Sequence, residues 1–255
     1  MSFFAALQFL TIIPLPWRRE VSPAELGRST AYFPLIGLII GLILVGWRWL
    51  LGLFLPPAVA NVLVIATLVL FSGALHLDGF LDTFDGVAGH KTVEERWRAM
   101  RDSRAGGIGV VAVCCLLLVK YVSLNNIPDA VLGKALVLMP VISRWALAYA
   151  IFAYPYARPD GLGTAFKQAT RWPRFTVATI ITLVIAVSLL PIPGIAFPLS
   201  ALLLLLGCWV IVVTLSAYLR SRFAGLTGDT YGAINEVVEV GVLILLLVLD
   251  RIGLS

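Results

Sequence analysis

Long apolar runs separated by short polar segments make up most of this chain. Runs of about 20 residues, the length a helix needs to cross a bilayer, lie near residues 31–54, 58–76, 106–124, 131–153, 175–192, 198–218 and 233–250. The apolar run over residues 3–14 is shorter and predicts a re-entrant or interfacial segment. The pattern predicts an all-α, polytopic integral membrane protein with about seven transmembrane helices. No internal repeat divides residues 1–255, which we interpret as a single domain.

Composition supports this class. The chain is 60% hydrophobic and 13% charged, with a mean hydropathy of +0.98, whereas about a quarter of the residues in soluble domains are charged. The net charge of +5 would suit a nucleic-acid partner in a soluble protein. In a membrane protein the placement of Lys and Arg matters more than their sum, so we expect a lipid membrane and no nucleic acid as partner.

The basic residues alternate sharply between successive loops. Loops 15–30, 77–105, 154–174 and 219–232 carry 14 Lys and Arg residues, whereas Pro56-Pro57, 125–130 and 193–197 carry none. The positive-inside rule places the charged loops in the cytoplasm. We therefore expect a C-terminus outside and any polar site to face the cytoplasm.

Three carboxylates follow the second long run, in the stretch from His76 to Gly86. If this stretch is helical, Asp78, Asp82 and Asp85 lie on one face at positions i, i+4 and i+7. Carboxylates that close repel each other, and a hard divalent cation such as Mg²⁺, shared with a phosphate-bearing substrate, would offset the repulsion. His76 precedes them and would act either as a base or in a structural hydrogen bond.

Arginines mark two further clusters on the same side of the membrane. Arg101 and Arg104 precede a glycine-rich helix start, which suits phosphate binding but equally suits close helix packing. Arg144 lies midway through a span and requires a polar cavity or an ionic partner. Arg158 and Lys167 follow that span.

The last cluster is acidic. Asp229, Glu236 and Glu239 recur at helical spacing where the final span begins. Carboxylates entering a membrane helix are costly unless they are paired, so we expect them to act as cation ligands or as partners of the arginines.

Carboxylates and arginines gathered at one membrane face are typical of metal-assisted chemistry on a diphosphate. Phosphatidyl transfer from a CDP-alcohol and prenyl transfer use similar acidic motifs, so the spacing leaves the substrate open. A proton- or cation-coupled transporter is disfavoured, because its polar groups would lie near the midplane and its halves would repeat.

The chain resembles the cobalamin synthase family, the adenosylcobinamide-GDP ribazoletransferases. The resemblance is carried, in order along the chain, by Phe33-Pro34-Leu35-Ile36-Gly37, His76-Leu77-Asp78-Gly79, Asp82-Thr83, Asp85-Gly86, Arg101-Asp102-Ser103-Arg104, Tyr156-Ala157-Arg158, Gly161-Leu162-Gly163, Thr227-Gly228-Asp229, Gly232 and Glu236. It implies a multi-pass, Mg²⁺-dependent catalytic domain in a bacterial inner membrane. Such an enzyme joins adenosylcobinamide-GDP to α-ribazole or its 5′-phosphate, releasing GMP. A homo-oligomer is left open.

Residue chemistry assigns roles to these positions. The predicted metal ligands are Asp78, Asp82 and Asp85. The predicted catalytic residues are Asp82, Asp229, Glu236 and His76. The predicted substrate-binding residues are Arg101, Arg104, Arg144, Arg158 and Lys167.

Overall fold

The computed structural model describes residues 2–14, 21–89, 91–102, 104–158, 162–190 and 199–254. Across these ranges the chain is helical, with a 3₁₀ turn at Thr30–Tyr32 and no strand. Arg18, Arg19 and the predicted turn at 193–197 lie outside the described residues. The helices are α1 (Ser2–Leu10), α2 (Pro23–Ser29), α3 (Phe33–Gly52), α4 (Pro57–Phe71), α5 (Leu75–Val87), α6 (Val93–Ala99), α7 (Gly107–Asn126), α8 (Asp129–Ala153), α9 (Leu162–Ala169), α10 (Trp172–Leu189), α11 (Leu199–Phe223) and α12 (Gly228–Arg251).

Six helical segments in the described part of the chain are long and apolar enough to cross a membrane: residues 23–52, α7, α8, α10, α11 and α12. Helices α4 and α5 together would form a seventh, but they meet at an angle of 86°. The prediction of an all-α, polytopic membrane protein is confirmed. The first helix, α1, has nine residues, so it overlaps the predicted segment 3–14 and, as predicted, is too short to cross a bilayer.

Helix α8 forms the centre of the bundle. Of its most apolar 18-residue window 89% is buried, against 17% for the outer helix α10. Helix α3 approaches it closely through Gly37 and Gly41, where an added Cβ would collide with the backbone of Pro140 and Val137. Small residues that let two helix backbones meet are a common basis of packing within membranes, where dispersion contacts replace the hydrophobic effect.

The sharp bend between α4 and α5 corrects the predicted span at 58–76. Gly73 (φ 63°) and Ala74 (φ 57°) both adopt left-handed backbone. Their N–H groups donate to the carbonyls of Leu70 and Val69 at 2.9 and 2.8 Å, which is the Schellman arrangement that ends a helix at a glycine. The membrane segment therefore stops at Phe71, and α5 leaves the direction of α4.

Helices α5, α6 and α9 gather with two loops at one end of the bundle. The loop after α8 meets the loop before α12 in a β-bridge between Tyr156 and Leu226. The N–H of Ala157 donates to the carbonyl of Leu226 at 2.8 Å. Arg96 of α6 donates to the carbonyl of Arg222 at 2.8 Å. The loops predicted to share one membrane face thus contact each other.

Candidate active site

Helix α5 carries the row of carboxylates, and glycines press it against the start of α12. A Cβ at Gly79 would lie 2.8 Å from the carbonyl oxygen of Asp229, and one at Gly232 would lie 2.8 Å from that of His76. Only glycine fits at both points without moving a backbone. The contact brings Asp229, distant in sequence, next to the carboxylates of α5.

The carboxylates of Asp78 and Asp82 have no protein partner among the described residues. Within the described part of the chain, neither side chain accepts a hydrogen bond or forms an ion pair. Asp82 lies within electrostatic range of three other carboxylates, those of Asp78, Asp229 and Asp85, and of the guanidinium of Arg158. This arrangement concentrates negative charge, and a bound cation would offset the repulsion between the carboxylates.

Asp229 belongs to the same group but is already partnered. Nη2 of Arg158 donates to its Oδ2 at 3.1 Å, and both side chains are about three-quarters buried. The Tyr156–Leu226 bridge holds Arg158 in this position, because it fixes the loop that carries the arginine against the loop that leads into α12. A part-buried arginine beside three carboxylates can both anchor Asp229 and bind a phosphate oxygen.

Asp85, the third member of the predicted metal row, is used differently. Its two carboxylate oxygens accept the N–H groups of Gly106 and Gly109, each at 2.8 Å. These are unsatisfied donors at the start of α7, and a negative charge there also interacts favourably with the helix dipole. Asp85 therefore caps α7 and joins it to α5.

The described residues include no group of three or more Asp, Glu, His or Cys side chains arranged to hold a metal ion. The donor set nevertheless suits a hard cation, because Asp78 and Asp82 supply free carboxylate oxygens. A magnesium ion shared with a substrate phosphate needs only one or two protein carboxylates. The residues fit such an ion without forming a closed protein cage.

A pocket of about 320 Å³ opens beside Asp78, Arg158 and Asp229. Most of its wall is apolar. Helices α1, α3 and α9 supply the rings of Phe9, Phe33 and Phe166, the loop after α8 supplies Tyr156, and α12 supplies Tyr231. His76 also lines this pocket. It forms no hydrogen bond to the described residues, so the structural hydrogen bond considered for it is not found.

A second depression, of about 500 Å³, lies at the other end of α5. Its lining includes Asp85, Arg98, Arg104 and Gly106, and Arg101 borders an adjoining depression. Because α5 rises about 1.5 Å per residue, the seven residues from Asp78 to Asp85 separate the two sites by roughly 10 Å. Asp82 lies between them on the same helix face.

Arg104 is exposed and forms an ion pair with Asp102, two residues earlier in the chain. Asp102 accepts from Nε and Nη2 of Arg104 at 3.1 and 2.9 Å, and this hydrogen bonding lowers the pKa of Asp102 to about 2. The pair stays ionised throughout the physiological pH range, so a phosphate must compete with Asp102 for the guanidinium.

Lys167 is held by the protein. Its Nζ donates to the carbonyl of Phe152 at 2.7 Å, and burial lowers the pKa of the ammonium group. This contact attaches α9 to the end of α8. Lys167 is absent from the linings of both depressions.

Two predicted site residues, Arg144 and Glu236, lie in an ion network inside the bundle. Lys120 of α7 donates to Glu236 at 2.5 Å and to Glu239 at 2.6 Å, and Arg144 of α8 pairs with the second oxygen of Glu239. Two cations and two carboxylates make the network neutral overall. Arg144 thus has the ionic partner that its position required, and Glu236 is bound to a lysine.

Lys120 is a member of this network that was not among the predicted site residues. It lies in the span predicted at 106–124, and its side chain is 1% exposed. The available signal was its charge, since a lysine deep in an apolar span needs a partner as much as an arginine does.

Comparison with known proteins identifies the family to which this site belongs. The family described as cobalamin-5-phosphate synthase matches residues 2–247. The chain belongs to this family. Curated relatives named adenosylcobinamide-GDP ribazoletransferase include those of Roseiflexus sp. (41% identical, 92% of this chain and 85% of the relative), Geotalea daltonii (37%, 93% of each) and Shewanella oneidensis (35%, 98% and 95%). No solved structure matches the chain.

Family membership confirms the resemblance seen in the sequence and the prediction of a membrane-embedded transferase of cobalamin synthesis. The match covers α1 through most of α12, and so includes every element that contributes to the two depressions. Glycines 79 and 232, the carboxylates of α5, and Asp229, Glu236 and Glu239 of α12 lie within it.

Proposed function

We propose that this protein transfers the adenosylcobinamide-phosphate group of adenosylcobinamide-GDP to a ribose hydroxyl of α-ribazole or its 5′-phosphate. One observation carries the proposal. A chain that matches the cobalamin-5-phosphate synthase family over residues 2–247 presents the carboxylates of Asp78 and Asp82, unpartnered among the described residues, beside the Arg158–Asp229 pair.

The transfer requires one P–O bond to form and one to break. The ribose 3′-oxygen of the acceptor attacks the phosphorus on the cobinamide side. The phosphoanhydride bond then breaks, and GMP leaves with the electron pair. The acceptor hydroxyl loses its proton, and a carboxylate within reach is the natural group to take it.

Asp229 is the better candidate for that proton acceptor. Glu236, the other carboxylate predicted for the role, is hydrogen-bonded to Lys120 and 6% exposed. Asp229 lines the 320 Å³ pocket, where Arg158 orients it. A carboxylate oriented by an arginine and open to a pocket suits proton transfer better than one buried in an ion pair.

Asp78 and Asp82 would hold a magnesium ion. Bound there, the ion would neutralise charge on the phosphate oxygens and on the leaving group. Arg158 would bind a phosphate oxygen at the pocket, while Arg101 and Arg104 would bind phosphate at the other end of α5. Asp85 would act indirectly, by fixing α7 against α5.

The active end of the bundle would face the cytoplasm of a bacterium, across its inner membrane. The positive-inside rule supports this orientation, because α5, α6 and α9 lie with the Arg-rich loops. Both substrates would then reach the enzyme from the compartment in which nucleotides are made.

A product assay tests the proposal. Purified protein in detergent receives adenosylcobinamide-GDP and α-ribazole with Mg²⁺ or with EDTA, and GMP and adenosylcobalamin are measured. We expect Mg²⁺-dependent formation of both products, and a loss of roughly 100-fold in kcat for Asp82→Asn, a size typical of removing one transition-state electrostatic contact. Asp129→Asn, an exposed acid at the other end of the bundle, is the matched control.

The outcomes separate the parts of the proposal. Folded protein that forms neither product refutes the function. Product formation that survives EDTA, or that is unaffected by Asp82→Asn, would keep the function and refute the proposed magnesium site.

A further inference from the structure

The 320 Å³ pocket has unsatisfied hydrogen-bonding groups of its own. Four buried polar atoms at its lining residues lack any partner among the described residues: Nδ1 and Nε2 of His76, Nε of Arg158 and Oη of Tyr231. Buried polar groups in native proteins are nearly always paired. Several unpaired polar atoms around one cavity indicate a ligand that forms hydrogen bonds with them.

The aromatic wall limits the shape of that ligand. The rings of Tyr156 and Tyr231 lie nearly parallel, 6.2 Å between centroids and 22° apart in plane. Among the other lining rings, that of Phe9 lies 6.0 Å from Phe33 and 4.7 Å from Phe166. Aromatic walls with a few polar groups are typical of sites for flat, small organic molecules.

Volume and charge exclude most of the donor substrate. A volume of about 320 Å³ lies near the lower limit of roughly 300–1,000 Å³ for small-molecule sites. The corrin macrocycle is several times larger than such a cavity. The pocket is also unsuited to the whole diphosphate, because Asp78 and Asp229 line it and repel anions. Arg158, already paired with Asp229, is left to bind a single phosphate oxygen there.

We propose that this pocket binds the acceptor nucleoside, with its base against the aromatic wall and its ribose hydroxyls toward His76, Tyr231 and the carboxylates. This inference rests on the proposed function for the identity of the nucleoside. α-Ribazole combines a flat, apolar benzimidazole with neutral hydroxyls, which matches the wall and the orphaned groups. Its reactive hydroxyl then lies at the carboxylate end, where Asp229 takes the proton.

The corrinoid is left outside the pocket, over the exposed end of α5 and the arginines of the α6–α7 segment. The two substrates then approach Asp82 from opposite ends of one helix. His76 becomes a ligand-binding residue, since it lies inside the acceptor pocket.

Two variants test the pocket by different means. Tyr231→Phe removes the orphaned hydroxyl and keeps the ring. Leu75→Trp adds bulk at a lining residue that is 46% exposed, so the fold tolerates it. The matched controls are Tyr218→Phe and Leu70→Trp, at residues that are 43% and 67% exposed and lie outside the pocket lining.

The measurements are the Kd of α-ribazole for the purified protein without donor, by calorimetry, and the KM of each substrate. We expect Tyr231→Phe to raise the Kd and KM for α-ribazole by roughly three- to tenfold, the effect of losing one neutral hydrogen bond. Leu75→Trp should raise them more than tenfold. The KM for adenosylcobinamide-GDP should stay within twofold of wild type, and both controls should match wild type throughout.

Failure of this inference is distinguishable from failure of the function. If wild type forms product but neither variant changes α-ribazole binding, or the KM for the donor changes instead, the pocket assignment is overturned and the function stands. If wild type binds α-ribazole and both variants weaken binding while no product forms, the pocket assignment stands and the transfer reaction is refuted.

Discussion

Removing the ammonium group of Lys120 should destabilise the protein strongly. The group donates to Glu236 at 2.5 Å and to Glu239 at 2.6 Å, and all three side chains are at most 6% exposed. Lys120→Met keeps the length of the side chain but leaves two carboxylates facing Arg144 alone. Breaking a buried ion pair by removing one partner costs about 3–5 kcal/mol.

That free energy is large enough to measure in detergent. At roughly 2–4 °C per kcal/mol for a chain of this size, Lys120→Met should lower Tm by ~6–20 °C, measured by differential scanning fluorimetry. The matched control is Lys134→Met, at a half-buried lysine of α8 for which the described residues provide no ionic partner. It should change Tm by no more than ~2 °C, as most substitutions away from special features do.

A double variant checks the physical reason. Lys120→Met combined with Glu236→Gln removes one charge of each sign, and the network is neutral again. If charge balance is the cause, the double variant should recover at least half of the decrease in Tm that Lys120→Met produces. A double variant less stable than Lys120→Met, or a single variant as stable as the Lys134 control, would refute the reasoning.

Three shorter predictions follow from the site. Asp85→Ala should lower the free energy of unfolding by about 1–3 kcal/mol, because it leaves two N–H donors of α7 without an acceptor. The Mg²⁺ concentration that gives the half-maximal rate should not change, and a large rise in that concentration would show that Asp85 is a metal ligand. Gly79→Ala should lower the free energy of unfolding by about 1–3 kcal/mol, seen as a lower Tm, because its Cβ would lie 2.8 Å from the backbone of α12 in a tightly packed contact. Gly107→Ala, whose Cβ would have no atom within 4 Å, is the control and should leave Tm unchanged. Asp102→Asn should free Arg104 and lower the KM for the diphosphate donor about two- to fivefold, the range expected for an exposed ion pair, and a higher KM would show that the aspartate itself assists binding.

Much of the candidate site was predictable because lipid makes charge costly. Arg144, Glu236 and Glu239 stand out in the sequence as charges within apolar runs, and such residues need partners. The expectation that the acids at the start of α12 meet arginines agrees with the Asp229–Arg158 and Glu239–Arg144 pairs. It was not predictable which acid meets which base, because that depends on how α7, α8 and α12 are rotated about their axes.

Helix ends were predictable only where local chemistry marked them. Apolar residues such as Ala74 and Leu75 follow Phe71 in the sequence, so the predicted span at 58–76 extended five residues beyond the end of α4. Gly73 was the available signal, because a glycine in left-handed conformation ends helices in the Schellman arrangement. The 86° bend that follows depends on the second left-handed residue, Ala74, which has no comparable sequence signature.

The sequence by itself determined the class of the protein, most of its membrane-spanning helices, the face on which its charges gather and the family to which it belongs. These follow from local properties, namely run length, charge placement and ordered motifs. Only the tertiary structure assigned Asp85 to the start of α7, Glu236 to Lys120, and Arg158 to Asp229. Each of these pairs joins residues distant in the chain, so its formation depends on helix rotation and loop contacts such as the Tyr156–Leu226 bridge. The 320 Å³ pocket exists for the same reason, since its wall is assembled from six helices and the loop after α8, and from no single stretch of sequence.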